Sequence, residues 1–78
     1  MKIKAAQLVC FGNGVREIRI SQGMSQEELA EKAAIDRSYL GGIERGEHNV
    51  ALINILKICA ALEVPPSRLF MCFKLSKE

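Results

Sequence analysis

The chain has 78 residues, of which 49% are hydrophobic and 26% charged, with a formal net charge of +2. That balance excludes a disordered chain and permits a nucleic-acid partner without demanding one, because a phosphate responds to where Lys and Arg are placed rather than to their sum. Cys10, Cys59 and Cys72 are odd in number and make no CxxC pair, so neither a disulfide framework nor a metal site is signalled. Reduced thiols in a cytoplasmic protein are expected. No run approaches 18 apolar residues and the N-terminus lacks a signal-peptide pattern, which leaves no membrane partner to expect.

In chain order, residues 1–7 carry two lysines and little pattern, and read as a loose arm, with a basic arm that touches DNA or the other subunit as the alternative. From Leu8 to Gln22 a helical period sets Leu8, Phe11, Val15 and Ile18 on one face. Gly12 and Gly14 weaken its first half by about 1 kcal/mol each relative to alanine, so the well-formed part is expected to begin near Asn13. Gly23 then ends the helix, and Met24 drops toward the core. Ser25 followed by Glu28 forms a capping box that opens a second helix. This helix buries Leu29, Ala30 and Ala33 and exposes Glu27, Glu31 and Lys32. Ile35 closes it off.

Asp36 can cap a third helix, on which Leu40 and Ile43 form the apolar face. Its opposite face carries Arg37, Ser38, Gly41 and Gly42, polar or nearly bare. Two short helices joined by a tight corner, the second polar outside and apolar inside, are the geometry of a helix-turn-helix whose second helix fits a major groove. The polar stretch from Glu44 to Asn49 follows, with Arg45 and Asn49 at the far end of that helix, where a duplex backbone would pass. His48 has no partner at ligand spacing and signals neither catalysis nor metal.

A fourth segment from Leu52 to Leu62 reads with Leu52, Ile55, Leu56, Cys59 and Leu62 as its inner stripe, and Ile53 and Ile58 partly off it. Pro66 is suited to the first position of a further short helix. The run Leu69, Phe70, Met71, Cys72, Phe73 and Leu75 is more apolar surface than such a helix can hide, so Leu69, Phe70 and Phe73 are expected in a homodimer interface. The short chain favours association too, since alone it hides only about 60 to 65% of its extended surface. Enzymatic readings fail. Gly12 and Gly14 lack the strand and further glycines of a phosphate loop, and Ser38 with His48 lacks an orienting acid or a cleft. No cofactor, catalytic residue or small-molecule ligand is expected.

Arg19, Gln26, Leu29, Ala30, Ile35, Leu40, Ile43, Glu44 and Gly46, with the spacing of Leu62 and Phe70, give the chain a resemblance to the lambda-repressor-like (Cro/C1-type) helix-turn-helix domains. The segment from Asp36 to Ile55 is particularly similar to the controller proteins of restriction-modification systems. The resemblance implies an all-α fold, a compact five-helix domain acting on double-stranded DNA. It implies that Arg37, Ser38 and Tyr39 read the bases, that Gln26, Arg45 and Asn49 contact the backbone, and that Arg19 and Glu44 form a structural ion pair. Arginine at position 37 would engage guanine O6 and N7, whereas serine discriminates little.

Three positions depart from the family pattern. Ala34 stands where a turn glycine is usual, implying about 1 kcal/mol of strain or another backbone shape. Gly41 and Gly42 loosen the reading helix by about 1 kcal/mol apiece, and Ala51 replaces a serine cap at a cost of about 0.5 to 2 kcal/mol. The reading that best fits is a homodimeric controller of a restriction-modification operon bound to palindromic operators. A phage-type repressor, an antitoxin, and a protein-interaction module without DNA affinity are the alternatives.

Overall fold

The structure, a computed structural model, describes residues 5–73. Helix α1 spans Ala6–Ser21, α2 Gln26–Ala33, α3 Arg37–Glu44, α4 Leu52–Leu62 and α5 Pro66–Leu69, so the described residues form an all-α, five-helix fold. Val15 of α1, Leu29 of α2, Leu40 and Ile43 of α3, Ile58 and Leu62 of α4 and Leu69 of α5 are the fully buried side chains that meet in its core.

Helix α1 starts earlier than its glycines suggested. Ala6 and Gln7 are already helical, and the rest of the expected arm, residues 1–4, lies outside the described residues. Gly12 is compatible with this early start because its missing side chain is what lets α1 close on the end of α3. A Cβ there would overlap the carbonyl oxygen of Ile43 and lie 2.9 Å from that of Glu44, so the local propensity cost is offset by close packing. The helix ends at Gln22 and Gly23, the latter at φ 75°. Gln22 then donates from Nε2 to the carbonyl of Leu62 at 2.8 Å, tying the end of α1 to the end of α4.

The capping box of α2 is complete. Glu28 N donates to Ser25 Oγ at 3.0 Å, and Ser25 N donates to Glu28 Oε1 at 2.8 Å. Ala34 takes the left-handed conformation at φ 58°, ψ 44°, so of the two expected outcomes for this corner the strained one holds. Glu63 adopts nearly the same angles at the end of α4, a second left-handed cap without glycine. The N-cap of α4, Ala51, makes no side-chain bond.

Helix α4 is rolled away from its expected stripe. Leu52 is 69% exposed and Leu56 43%, whereas Ile58 is fully buried. Ile55, Cys59 and Leu62 belong equally to the expected stripe and to the observed one, so periodicity alone could not choose between Leu52 with Leu56 on one side and Ile58 on the other. Packing against α2 and α5 decides it.

The expected dimer surface also changes. Leu69 is core, 1% exposed, and Phe70 stacks on Phe11 with ring centroids 5.7 Å apart. A four-residue helix can bury Leu69 because α5 packs against both α1 and α4, with Leu69 beside Gly14 of α1. Phe73 stays 42% exposed and Met71 71%, while Leu75 lies outside the described residues. The expectation of three reduced thiols is corrected as well: Cys10 and Cys72 form a disulfide with their Cα atoms 6.1 Å apart, and Cys59 alone is free and buried. The pairing was hidden because 62 residues separate the two cysteines and only the return of the chain past α5 brings them together.

Candidate nucleic-acid interface

A buried polar cluster fixes α3 to the rest of the fold. Arg19 donates from Nε to Glu44 Oε2 at 2.7 Å and from Nη2 to Glu44 Oε1 at 3.0 Å, a bidentate pair, and from Nη1 to the carbonyl of Met24 at 2.8 Å. Both residues are buried, Arg19 at 8% and Glu44 at 4% exposure. Gln26, first residue of α2, adds a third donor to Glu44, from Nε2 to Oε1 at 2.9 Å. Among the described residues no buried side-chain polar atom lacks a partner. The guanidinium plane and the carboxylate fork thus set where α1, α2 and the C-terminal end of α3 lie relative to one another.

The opposite end of α3 is fixed by Asp36, whose carboxylate accepts from Ser38 N at 3.0 Å, from Tyr39 N at 3.3 Å and from the Ser38 hydroxyl. The Ser38 hydroxyl bond, then the two amide bonds, hold the Asp36 carboxyl below its usual pKa. The cap therefore remains ionised, and its contribution is lost only as pH falls through that lowered value.

Arg37 is exposed at the start of α3 and donates from Nη1 to Gln26 Oε1 at 3.5 Å, a bond at the long limit of hydrogen-bond distance. Ser38 is exposed, but its proton is directed to Asp36, leaving its lone pairs outward. Tyr39 is half-buried. Its hydroxyl accepts from Asn54 Nδ2 of α4 at 3.3 Å, and its ring lies 5.0 Å from that of His48. Arg37, Ser38, Gln26 and Arg45 are thus gathered around one surface, with Tyr39 held toward α4 and Asn49 exposed in the following loop.

The outer face of α3 is not bare, as its sequence suggested. Gly41 and Gly42 are buried because the side chains of neighbouring segments fold over them. Arg45 Nη1 lies 3.2 Å and Gln26 Oε1 3.4 Å from where a Gly41 Cβ would sit, and the His48 ring lies 2.5 Å from that of Gly42. The glycine pair is a floor on which an arginine and a histidine rest. Glu47 completes this arrangement, accepting from Arg45 Nε at 3.0 Å on Oε2 and from Nη2 at 3.2 Å on Oε1. That bond and charge raise the Arg45 pKa above its ordinary value. His48 and Glu47 were missed as site residues. The signal available was two adjacent glycines on an outward face followed within six residues by long polar side chains.

A capped, rigidly held second helix with an outward basic face defines a DNA-reading class of protein. A family described as Helix-turn-helix matches residues 15–69, and the chain belongs to the helix-turn-helix family. Within it, the chain is 52% identical over 60 residues to Control protein C.BamHI of Bacillus amyloliquefaciens, covering 76% of this chain and 74% of that one. It is similar in structure to the restriction-modification controller protein C.AhdI from Aeromonas hydrophila, with TM-score 0.83 and 53% identity over 85% of this chain and 100% of that one. A third likeness is to the controller protein C.Esp1396I, seen as a tetramer in complex with its natural 35 base-pair operator, with TM-score 0.80 and 33% identity over 88% and 91% of the two chains. Among the described residues no helix is long and apolar enough to cross a membrane.

Proposed function

We propose that this protein is a sequence-specific DNA-binding transcriptional regulator, the homodimeric controller of a restriction-modification operon, acting in the cytoplasm on palindromic operators in double-stranded DNA. The observation that carries this reading is the outer face of α3, where Arg45, Gln26 and His48 cover a buried glycine floor and Arg37 stands exposed at its start, while the helix is locked to the fold by Arg19 and Glu44. A protein-interaction helix would present an apolar knob there. The likeness to controller proteins narrows the class.

In this reading Arg37 is the base reader, its fork matching guanine O6 and N7. Ser38, its proton turned inward, offers a lone pair to a base amino group, and Tyr39 lines the groove wall. Gln26, Arg45 and Asn49 face the backbone. The test uses a duplex enriched by the wild-type protein from a random-sequence pool, compared with a scrambled duplex. Arg37→Ala is expected to lose about 1 to 3 kcal/mol on the enriched duplex and far less on the scrambled one. Equal losses on both would make Arg37 a phosphate contact and move specificity elsewhere. Failure of the wild-type protein to enrich any sequence would overturn the function itself.

The second copy is proposed to cover the outward stripe of α4. Leu52, Ile53 and Leu56 are all exposed and lie on one helical face, and a domain this small gains from hiding them. Phe73 extends the apolar surface past α5, whereas Leu69 and Phe70 serve the protomer's own core. Leu56→Asp is expected to convert the protein to monomer in sedimentation at micromolar concentration, losing at least about 1.5 kcal/mol of burial per protomer while helical circular dichroism is kept. A variant that still sediments as a dimer would remove α4 from the interface.

A further inference from the structure

An acidic side chain on a surface meant for phosphates needs a reason. Glu47 lies in the loop that follows α3, and its carboxylate takes the Arg45 guanidinium through two hydrogen bonds. Both residues are exposed, so the pair is an ordinary surface salt bridge that a better partner can displace. Its position is nevertheless well defined. The Arg45 guanidinium rests on Gly41, and Glu47 N donates to the Gly42 carbonyl at 2.9 Å, which anchors the loop backbone to the end of the helix.

The carboxylate takes the Nε and Nη2 side of the guanidinium, one of the two-donor faces that a phosphate would use, and offsets the charge that would draw a phosphate in. We propose that Glu47 is a specificity-setting residue: it occupies Arg45 in the free protein and on random DNA, and yields it only when the fit at the reading helix brings a phosphate close enough to compete. The inference rests on the DNA-reading function proposed above. Its physical basis is that non-specific affinity is nearly all phosphate charge neutralisation, whereas specific affinity has base contacts to add. Withholding one cation therefore weakens random binding by a larger fraction than operator binding. Glu47 acts through Arg45 and is a positioning residue in this scheme, not a contact.

The test measures affinity for the enriched and scrambled duplexes across a salt series with wild-type protein, Glu47→Gln, Arg45→Ala and the double variant, each checked for unchanged helicity and sedimentation. Glu47→Gln is expected to bind the scrambled duplex about tenfold more tightly near 0.1 M salt and to steepen its salt slope by about one, the signature of one additional neutralised phosphate. The gain on the enriched duplex is smaller, so the ratio between the two falls. In the Arg45→Ala background the same change should give little. A Glu47→Gln protein with unchanged affinity and slope on scrambled DNA overturns the inference. So does an equal gain with and without Arg45, because Glu47 would then act as a bare charge. If the wild-type protein fails to distinguish the two duplexes, the function itself has failed; if it distinguishes them and Glu47→Gln does not shift the ratio, only this inference has.

Discussion

Replacing Glu44 by alanine is expected to cost about 3 to 5 kcal/mol of folding stability, because it leaves a buried arginine without its counter-charge. The Arg19 guanidinium would keep only the Met24 carbonyl, and Gln26 Nε2 would lose its acceptor on the same carboxylate. Urea unfolding followed by helical circular dichroism measures the loss. A drop below about 1 kcal/mol would mean that water enters the site and solvates Arg19, and the claim of a closed cluster would fall. The double replacement Arg19→Met with Glu44→Leu should recover much of the stability, since two apolar side chains need no partner. It should not recover operator binding. The pair fixes the angle at which α3 leaves the body of the fold, and apolar packing is less directional than a bidentate bond. Stability restored while binding remains lost would separate the two roles of the cluster.

Much of this arrangement was legible in the residues. Ser25 with Glu28, Asp36 before Leu40, and Gly23 are local signals whose chemistry is complete within four residues, and each cap formed as read. The Arg19 and Glu44 pair, 25 residues apart, came only through the family resemblance; nothing in spacing predicts it. What could not be read depends on how helices roll and on what distant segments bring. Helix α4 offers apolar residues on most of its circumference, so its rotation is set by neighbours. Gly41 and Gly42 looked bare because the side chains that cover them come from the next loop and from α2. The same limit hid Leu69: an apolar run at the end of a short chain reads as surplus until its packing against α1 and α4 is known. In the proposed reading, function is more legible than the interface because recognition would use the exposed face of one locally defined helix, whereas dimerisation would use whatever apolar surface packing leaves over.

Cys72→Ser is expected to lower stability by about 4 kcal/mol in the absence of reductant, the loop-closure entropy of a bond that spans 62 residues. For a domain of this size that corresponds to a fall in melting temperature of about 15 to 30 °C. Dithiothreitol should produce the same fall in the wild-type protein and none in the variant. Cys59 does not confuse the comparison, since burial pushes its thiol pKa up and keeps it protonated. If the two proteins melt alike without reductant, Cys10 and Cys72 are not bonded in solution. The bond joins the first half of α1 to the segment carrying Met71 and Phe73, so opening it releases a strap across apolar surface. The cytoplasm proposed above would keep such a pair reduced. There the chain must recover the lost stability by association, because a partner that binds only the folded state adds RT ln(1 + [L]/Kd) to it. Addition of the enriched duplex should therefore raise the melting temperature of reduced wild-type protein and of Cys72→Ser by the same amount, and a smaller rise for the variant would show that the strap also shapes the DNA-binding form.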